Sequence, residues 1–218
     1  PLILKKIKSI KKVLIVNYPG QHYLKFKKTI KHQIFTWKNI KKHKANVINF
    51  KKYDFDHDLA ILYSSGTTGK PKCICHRTGG VLLQHLKEHQ LHCEIKPKDN
   101  IFYFTTCGWM MWNWLISSLA SKASIVLFDG FPMYKKKDLL FEIIEKEKIT
   151  LFGVSAKYID TLKKLNFSAK VKFKLKSLKT ICSTGSPLSE DGFDYIYKKI
   201  KKNVHLASIS GGTDIVSC

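Results

Sequence analysis

The feature that most constrains this chain is the segment 61–72, which reads ILYSSGTTGKPK. An apolar strand leads directly into a loop of hydroxyls, glycines and lysines. Glycines let backbone N–H groups approach phosphate oxygens, hydroxyls donate further hydrogen bonds, and lysines supply countercharge, so the loop predicts a triphosphate site. It is not a Walker A loop, because only two residues separate Gly66 from Gly69 and a proline follows Lys70. A plain turn between two strands is the alternative interpretation.

The composition indicates a folded protein rather than a disordered one. Of the 218 residues, 44% are hydrophobic and 12% are aromatic, which is ample for a core. The formal net charge of +23 suggests nucleic-acid binding, but Arg77 is the only arginine. A protein that reads nucleic-acid sequence is expected to use arginine, because its guanidinium makes bidentate contacts to guanine and phosphate. We therefore expect no specific nucleic-acid partner, and only weak attraction of the scattered lysines to polyanions.

The two ends of the sequence suggest a piece of a longer polypeptide. The first residue is Pro1 rather than Met, and the last residue, Cys218, directly follows a motif. No basic, apolar and small-residue signal sequence opens the chain. Six cysteines without regular spacing fit reduced thiols better than a disulfide framework. We expect a cytoplasmic protein, of which this chain is a fragment.

Strand-like and helix-like segments alternate along the chain, which predicts an α/β fold of mainly parallel sheets flanked by helices. Residues 1–57 form a lysine-rich N-terminal α/β segment, with predicted strands at 13–16 and 47–50. From residue 58 the alternation sharpens, and a buried strand at 59–63 precedes the glycine-rich loop. Later strands are predicted at 73–76, 101–104, 124–128, 150–154, 178–182 and 204–209. Helices are predicted at 80–94, 109–120, 139–148, 156–165 and 189–200, the last two with Ser155 and Ser189 as N-caps.

Residues 101–121 carry no charge and are long enough to raise the question of a membrane span. The segment contains two threonines, an asparagine and three serines, with Gly108 near its middle. A strand, a turn and a helix in a protein core explain this pattern better than a span.

Three loops rich in Gly, Ser and Thr follow predicted strands, at residues 64–72, 183–187 and 210–214. In open α/β sheets, ligands bind beyond the carboxyl ends of the strands. Convergence of the three loops predicts a nucleotide cleft more strongly than any one loop does.

Cysteines and histidines in the first half of the chain could be combined into a zinc site on paper. The residues concerned are Cys73, Cys75, His76, His89, His92 and Cys93. Their spacing matches none of the usual zinc patterns, and neighbouring residues on a strand face opposite ways. We expect no zinc here.

The order Ser-Ser-Gly-Thr-Thr-Gly-Lys-Pro-Lys resembles the phosphate loop of the acyl-adenylate-forming synthetases. This superfamily includes acyl-CoA synthetases, luciferases and peptide-synthetase adenylation domains. The segment 183–188, STGSPL, is similar to their adenine-contacting loop, and the segment 208–214, SISGGTD, to a segment that ends in Thr-Glu. The resemblance implies that Thr213 contacts the α-phosphate and that Asp214 holds Mg²⁺, with Asp in place of the family's Glu. An ordinary turn at Gly211 with a surface acid at Asp214 is the alternative.

The resemblance implies catalytic roles for Thr213, Asp214 and Lys70. The positions that it implies for nucleotide binding are Ser64, Ser65, Gly66, Thr67, Thr68, Gly69, Lys70, Lys72, Gly185, Ser186, Pro187, Gly211, Gly212 and Thr213.

The segment 108–114, GWMMWNW, together with Thr105-Thr106, Phe131 and the run STGSPLS at 183–189, narrows the resemblance to the acetoacetyl-CoA synthetase family, over residues 59–218. It implies an acyl pocket with Trp109, Met110 and Trp112 as wall residues, the two tryptophans sharing one helix face. Acetate-specific relatives carry a tryptophan where Gly211 stands, so a glycine there is expected to leave room for a longer acid. Plain core packing is the alternative for the aromatic residues.

The implied reaction is ATP-dependent conversion of acetoacetate to acetoacetyl-AMP and then to acetoacetyl-CoA, with Mg²⁺ as cofactor and coenzyme A as co-substrate. The chain resembles part of the large N-terminal domain, with the AMP-binding core at 58–218. It stops before the family's ribose-binding aspartate and its C-terminal domain with a catalytic lysine, so we expect this chain alone to turn over little or not at all. The alternatives are a synthetase for acetate or propionate, and a non-catalytic module that binds phosphates or polyanions.

Overall fold

The computed structural model describes residues 2–16, 32–42, 47–64 and 69–218. The chain divides into two compact units, Pro1–Lys52 and Tyr53–Cys218. The division falls five residues before the predicted boundary after residue 57.

The first unit contains a small parallel sheet of two strands, β1 (Lys12–Ile15) and β2 (Gln33–Thr36). Two short helices accompany it, α1 (Leu2–Lys6) and α2 (Trp37–Lys42). The predicted strand at 13–16 is confirmed, whereas that at 47–50 is wrong. Residues 47–50 are exposed and adopt neither helix nor strand. In the described ranges no strand lies beside them to pair with their backbone N–H and C=O groups. Apolar side chains alone do not make a strand, because these backbone groups need hydrogen-bond partners.

The second unit is built on a parallel sheet of five strands in the order β6-β5-β7-β8-β9. These strands are β5 (Asn100–Tyr103), β6 (Ser124–Ile125), β7 (Leu151–Ser155), β8 (Thr180–Thr184) and β9 (His205–Ser208). Its helices are α3 (Thr78–Lys87), α4 (Met111–Ser117), α5 (Leu139–Lys146), α6 (Ala156–Lys164) and α7 (Glu190–Tyr195). Short turns of π-helix follow α3 and α7, at Glu88–His92 and Ile196–Ile200. The predicted α/β class, and every helix and strand predicted from residue 73 onward, are confirmed with shifted ends.

Both predicted serine caps are confirmed. The Ser155 hydroxyl oxygen accepts a hydrogen bond from the Tyr158 backbone N–H at 3.3 Å, at the start of α6. The Ser189 hydroxyl oxygen accepts one from the Gly192 backbone N–H at 3.2 Å, at the start of α7. Each cap pairs a backbone donor that the first helical turn would otherwise leave unsatisfied.

Apolar side chains cover both faces of the five-stranded sheet, as a parallel sheet requires. Along β5, Phe102 points into one cluster, whereas Ile101 and Tyr103 point into the other. The first cluster is completed mainly from α5, α6 and α7, and the second mainly from α4, including the fully buried Trp114. The strand–turn–helix prediction for residues 101–121 is thus confirmed, and no helix in the described ranges is both long and apolar enough to cross a membrane.

The strand before the glycine-rich loop does not belong to the parallel sheet. Strand β3 (Asp58–Ser64) pairs with β4 (Lys72–Arg77) in an antiparallel hairpin. Its alternate side chains Leu59, Ile61 and Tyr63 are about half exposed or more, so the prediction of a buried strand at 59–63 is wrong. Apolar content predicted the strand correctly, but a two-stranded hairpin can bury only one of its faces.

Candidate active site

The loops after β8 and β9 lie together at the carboxyl edge of the sheet and enclose a cavity of about 430 Å³. The Ile209 backbone N–H donates to the Ser183 carbonyl at 2.8 Å, and the Leu188 N–H donates to the Ser208 hydroxyl at 3.1 Å. Gly185 adopts φ +87°, which a residue with a side chain rarely tolerates. Hydroxyl-bearing residues and glycines line it together with a proline and an isoleucine; the residues are Thr184, Gly185, Ser186, Pro187, Ser208, Ile209, Ser210 and Gly211.

Directly after this cavity the chain forms a tight turn over residues 212–217. The Gly212 N–H donates to the Ser217 carbonyl at 3.0 Å, and the Val216 N–H donates to the Thr213 carbonyl at 3.3 Å. A Cβ at Gly211 would lie 2.0 Å from the Ser217 carbonyl oxygen, so only glycine fits there. The turn places Thr213 half-buried and Asp214 exposed.

The Asp214 carboxylate is accessible to a metal ion. It is exposed and makes no ion pair with any residue that the structure describes. Nor do the described ranges contain a group of three or more His, Cys, Asp or Glu side chains able to hold a metal by themselves. Mg²⁺ is commonly held by one or two carboxylates together with substrate phosphates, and Asp214 fits that arrangement.

The glycine-rich loop joins β3 to β4 at the end of the hairpin. Ser64 ends β3 opposite Lys72 at the start of β4, and Gly69 and Lys70 are exposed. The predicted phosphate-binding residues Ser65, Gly66, Thr67 and Thr68 lie outside the described residues. Of the three predicted loops, two follow parallel strands and this one follows an antiparallel strand.

The hairpin and the turn are nevertheless in direct contact. The His76 imidazole on β4 hydrogen-bonds through Nε2 to the Thr213 carbonyl oxygen at 2.7 Å. Because a carbonyl only accepts, Nε2 carries the proton. The structure therefore links the strand that follows the glycine-rich loop to the turn that carries Thr213 and Asp214.

A second cavity, of about 420 Å³, lies at the carboxyl ends of β5 and β6. Its lining combines Trp112 and Phe128 with the polar side chains of Thr105, Thr106 and Asp129. Of the four predicted acyl-pocket residues, only Trp112 lines this cavity. Gly211 lines the cavity at β8 and β9 instead.

The other two predicted pocket residues take part in core packing. Trp109 precedes α4 and packs edge-on against Tyr103, with ring centroids 6.1 Å apart. Met110 is buried in the same cluster. Trp112 is the second residue of α4 and Trp109 lies before the helix, so the two tryptophans do not share a helix face as predicted, although both pack against the same cluster.

A third cavity, of about 440 Å³, lies at the opposite edge of the sheet, at the amino ends of the strands. It contains the ion pair of Lys179 with Asp99 at 3.1 Å, and none of the predicted site residues lines it. Ligands of open parallel sheets bind at the carboxyl ends of the strands, so we do not assign the nucleotide to this cavity.

Comparison with known proteins decides the family. The model of the family described as AMP-binding enzyme matches residues 7–210. The chain belongs to the AMP-binding enzyme family.

Within this family the chain is similar to proteins named as acetoacetyl-CoA synthetases. It is 54% identical over 174 residues to the acetoacetyl-coenzyme A synthetase of Rhizobium meliloti (strain 1021), covering 80% of this chain and 27% of that protein. It is 43% identical over 219 residues to the acetoacetyl-CoA synthetase of Gallus gallus, covering 99% of this chain and 33% of that protein. The chain thus spans about a third or less of the length of these relatives.

A solved member of the family has the same fold. The acetoacetyl-CoA synthetase from Streptomyces lividans superposes with a TM-score of 0.84 at 35% sequence identity, over 98% of this chain and 32% of that one. Agreement over nearly the whole chain supports both the hairpin and the five-stranded sheet described above.

Sequence reasoning about this member of the AMP-binding enzyme family missed several residues that pack around these cavities and the turn. Gly153 in the middle of β7 could have been recognised from the sequence, because a glycine inside a strand often indicates that another group approaches the backbone closely. Here the Tyr103 ring fills the space beside it. His85 and Glu88 gave no such signal, since polar residues in a helical segment ordinarily face solvent. Both are buried, and His76 was considered only as a zinc ligand.

Proposed function

We propose that the protein to which this chain belongs is an AMP-forming acid–thiol ligase that activates acetoacetate with ATP and transfers it to coenzyme A. The observation that carries the proposal is the cavity between the β8 and β9 loops, whose last lining residue, Gly211, is followed in the chain by the turn with Thr213 and Asp214. Six of its eight lining residues are Gly, Ser or Thr, so backbone N–H groups and hydroxyls are available to a nucleotide. The similarity to acetoacetyl-CoA synthetases supports the choice of acid.

The reaction has two displacement steps. A carboxylate oxygen of acetoacetate attacks the α-phosphorus of ATP, and pyrophosphate leaves with the electrons of the broken P–O bond. The thiolate of coenzyme A then attacks the acyl carbon of the adenylate, and AMP leaves. Catalysis of the first step is chiefly positioning and stabilisation of charge on the phosphates.

We assign the nucleotide to the β8–β9 edge. Gly185, Ser186 and Pro187 would border the adenine, with Gly211 and Gly212 leading the backbone towards the phosphates. Thr213 would donate its hydroxyl hydrogen to an α-phosphate oxygen. Asp214 would hold Mg²⁺, which when bound neutralises charge on the phosphate oxygens.

We assign the β- and γ-phosphates to the glycine-rich loop. Lys70 and Lys72 would supply positive charge, and the backbone N–H groups of Gly66 and Gly69 would donate to phosphate oxygens. Thr67 and Thr68 would add hydroxyl donors, and Ser64 and Ser65 would shape the loop. The contact between His76 and Thr213 supports this assignment, because it holds the hairpin against the α-phosphate ligand.

We assign the acyl group to the cavity beside Trp112. Its mixed lining suits a short acid with a second carbonyl, since the Thr106 hydroxyl can donate next to aromatic walls, whereas the Thr105 hydroxyl donates to the Thr106 carbonyl at 3.2 Å. Trp109 and Met110 would support this wall from the core.

We also propose a domain division and a cellular compartment for the protein. Residues 1–57 would form an N-terminal segment, and residues 58–218 the AMP-binding core. The compartment would be the cytoplasm, since the six cysteines carry no disulfide-like spacing.

The test is pyrophosphate release with Mg·ATP and a panel of carboxylates, measured on the protein with its natural termini. The proposal predicts release that depends on acetoacetate and far exceeds release with acetate or propionate. Release with another acid only would keep the adenylate chemistry and refute the substrate. No release with any acid would refute the enzyme and favour a phosphate-binding module.

A further inference from the structure

A buried polar cluster lies behind the turn that carries Thr213 and Asp214. It is built from His85 near the end of α3 and Glu88, one helical turn later. His85 is fully buried and Glu88 is 3% exposed. Burial of an imidazole and a carboxylate is costly unless each is hydrogen-bonded, so the contacts that they make are informative.

Glu88 is held firmly on its own side of the cluster. Its Oε2 accepts a hydrogen bond from the Trp114 indole Nε1 at 2.9 Å, and its Oε1 accepts one from the Gln84 amide at 2.9 Å. The Lys87 ammonium lies 3.7 Å from Oε1, and the same oxygen also faces the turn. The Ser217 hydroxyl donates to it, and the Cys218 backbone N–H approaches it at 3.4 Å.

His85 reaches the same segment through its other partners. Its Nε2 hydrogen-bonds to the Val216 carbonyl oxygen at 2.6 Å, so Nε2 carries the proton. Its Nδ1 faces the Ser117 hydroxyl of α4 at 2.8 Å. Burial lowers the pKa of His85, which favours the neutral ring. With His76 on the Thr213 carbonyl, three side chains from the β4–α3 segment hold the backbone of residues 213–218.

The backbone conformation at Val216 explains why these hydrogen bonds are needed. Val216 has φ +51°, in the left-handed region that a β-branched residue strongly disfavours, and it is 2% exposed. A residue stays in such a conformation only when its surroundings impose it. His85 holds the Val216 carbonyl, and Glu88 holds the hydroxyl of the next residue, Ser217. These two hydrogen bonds supply that constraint.

We propose that His85 and Glu88 are positioning residues, which act through the strained backbone at Val216 to hold Thr213 and Asp214 where they meet Mg·ATP. The inference rests on the proposed function, because it assigns a purpose to the turn only if Thr213 and Asp214 bind phosphate and magnesium. Neither His85 nor Glu88 touches the substrate itself.

The experiment compares His85→Ala with wild type in the protein with its natural termini. The readouts are the half-saturating Mg²⁺ concentration and the KM values for ATP and acetoacetate, in acetoacetate-dependent exchange of labelled pyrophosphate into ATP. Loss of a group that orients a ligand typically costs about 10- to 100-fold, so we expect the half-saturating Mg²⁺ to rise by that order. The KM for acetoacetate should change little.

Two further variants separate positioning from general stability. Tyr195→Phe is the matched control, because it removes a buried hydrogen bond of 2.7 Å to the Phe167 carbonyl in the other core cluster. It should lower the melting temperature without changing the Mg²⁺ dependence. Adding Val216→Gly to His85→Ala should restore part of the lost Mg²⁺ affinity, because glycine adopts a positive φ without steric strain.

If His85→Ala does not fold, Glu88→Gln replaces it, since the amide keeps the size and one acceptor oxygen. The same increase in half-saturating Mg²⁺ would support the proposal. If wild type is active and the folded variant shows the same half-saturating Mg²⁺ concentration as wild type, the positioning role is overturned and the proposed function stands. A wild type without acetoacetate-dependent exchange would overturn the proposed function, and the positioning role with it.

Discussion

Gly153 of β7 lies directly against the aromatic ring of Tyr103 of β5, its partner in the parallel ladder. A Cβ at Gly153 would lie 2.1 Å from Cδ2 of that ring. Tyr103 in turn packs against Trp109 and Trp114 and lines the cavity that we assign to the acyl group. A missing side chain in one strand therefore sets the position of a cavity wall carried by its neighbour.

Gly153→Ala should destabilise the protein by about 1–3 kcal/mol, the usual cost of overpacking a core. The measurement is the free energy of unfolding in urea. The clash needs the ring, so the same substitution in a Tyr103→Leu background should cost much less. Equal costs in the two backgrounds would show that the ring does not require glycine at position 153.

Gly211→Ala should disrupt the turn over residues 212–217, because its Cβ would overlap the Ser217 carbonyl oxygen. We expect weaker Mg·ATP binding, measured by calorimetry, together with a loss of stability. Gly80→Ala is the control, since a Cβ there meets nothing within 4 Å. In helix α3 that change should be neutral or stabilising by up to about 1 kcal/mol. Unchanged Mg·ATP binding in Gly211→Ala would contradict the turn's role.

Trp112 and Trp109 should respond differently to truncation. Trp112→Ala should raise the KM for the acid while leaving the KM for ATP within about twofold, because Trp112 lines the cavity assigned to the acid and not the one assigned to the nucleotide. Trp109→Ala should chiefly lower stability, through lost packing on Tyr103. Steady-state kinetics and thermal melting of both variants make the comparison. A Trp112→Ala variant with an altered KM for ATP alone would contradict the assignment.

His89 should make the protein sensitive to mild acid. Burial lowers its pKa from 6.5 to about 3, and neither ring nitrogen has a hydrogen-bond partner in the described part of the chain. Between these two pKa values the unfolded state binds the extra proton, so stability falls as the pH is lowered from 6.5. The slope for one such group is at most about 1.4 kcal/mol per pH unit.

His89→Leu should therefore flatten the pH dependence of unfolding between pH 6.5 and 4, without loss of stability at pH 7. Replacing an unpaired buried polar group by an apolar one is often neutral or stabilising. His85 contributes a slope of the same sign, so the dependence should weaken rather than vanish. Parallel loss of stability in wild type and His89→Leu would refute this account.

Local sequence signals predicted most of the second unit because each of its elements carries its own period or cap. Ser155 and Ser189 marked two helix starts, and the loops after β8 and β9 could be located from their glycines and hydroxyls. The hairpin was harder, since an apolar strand such as β3 looks the same whether its partner is parallel or antiparallel. Residues 47–50 failed for a related reason, because apolar character does not reveal whether a pairing strand exists.

The candidate site was predictable where chemistry is local in sequence and not where it depends on tertiary contact. Thr213 and Asp214 follow a glycine pair, which the motif makes readable. The support from His76, His85 and Glu88 comes from more than a hundred residues away. No periodicity in that segment distinguishes a buried polar contact from a solvated helix face.

The most direct test of the central claim is acetoacetate-dependent exchange of labelled pyrophosphate into ATP, with wild type and Asp214→Asn compared over a range of Mg²⁺ concentrations. The protein with its natural termini is used, and Asp160→Asn, which alters a partly exposed acid on α6, serves as the control. We predict exchange in wild type and control, and a large loss in Asp214→Asn that added Mg²⁺ partly restores. Exchange that persists unchanged in Asp214→Asn, or that needs no acid, would contradict the account.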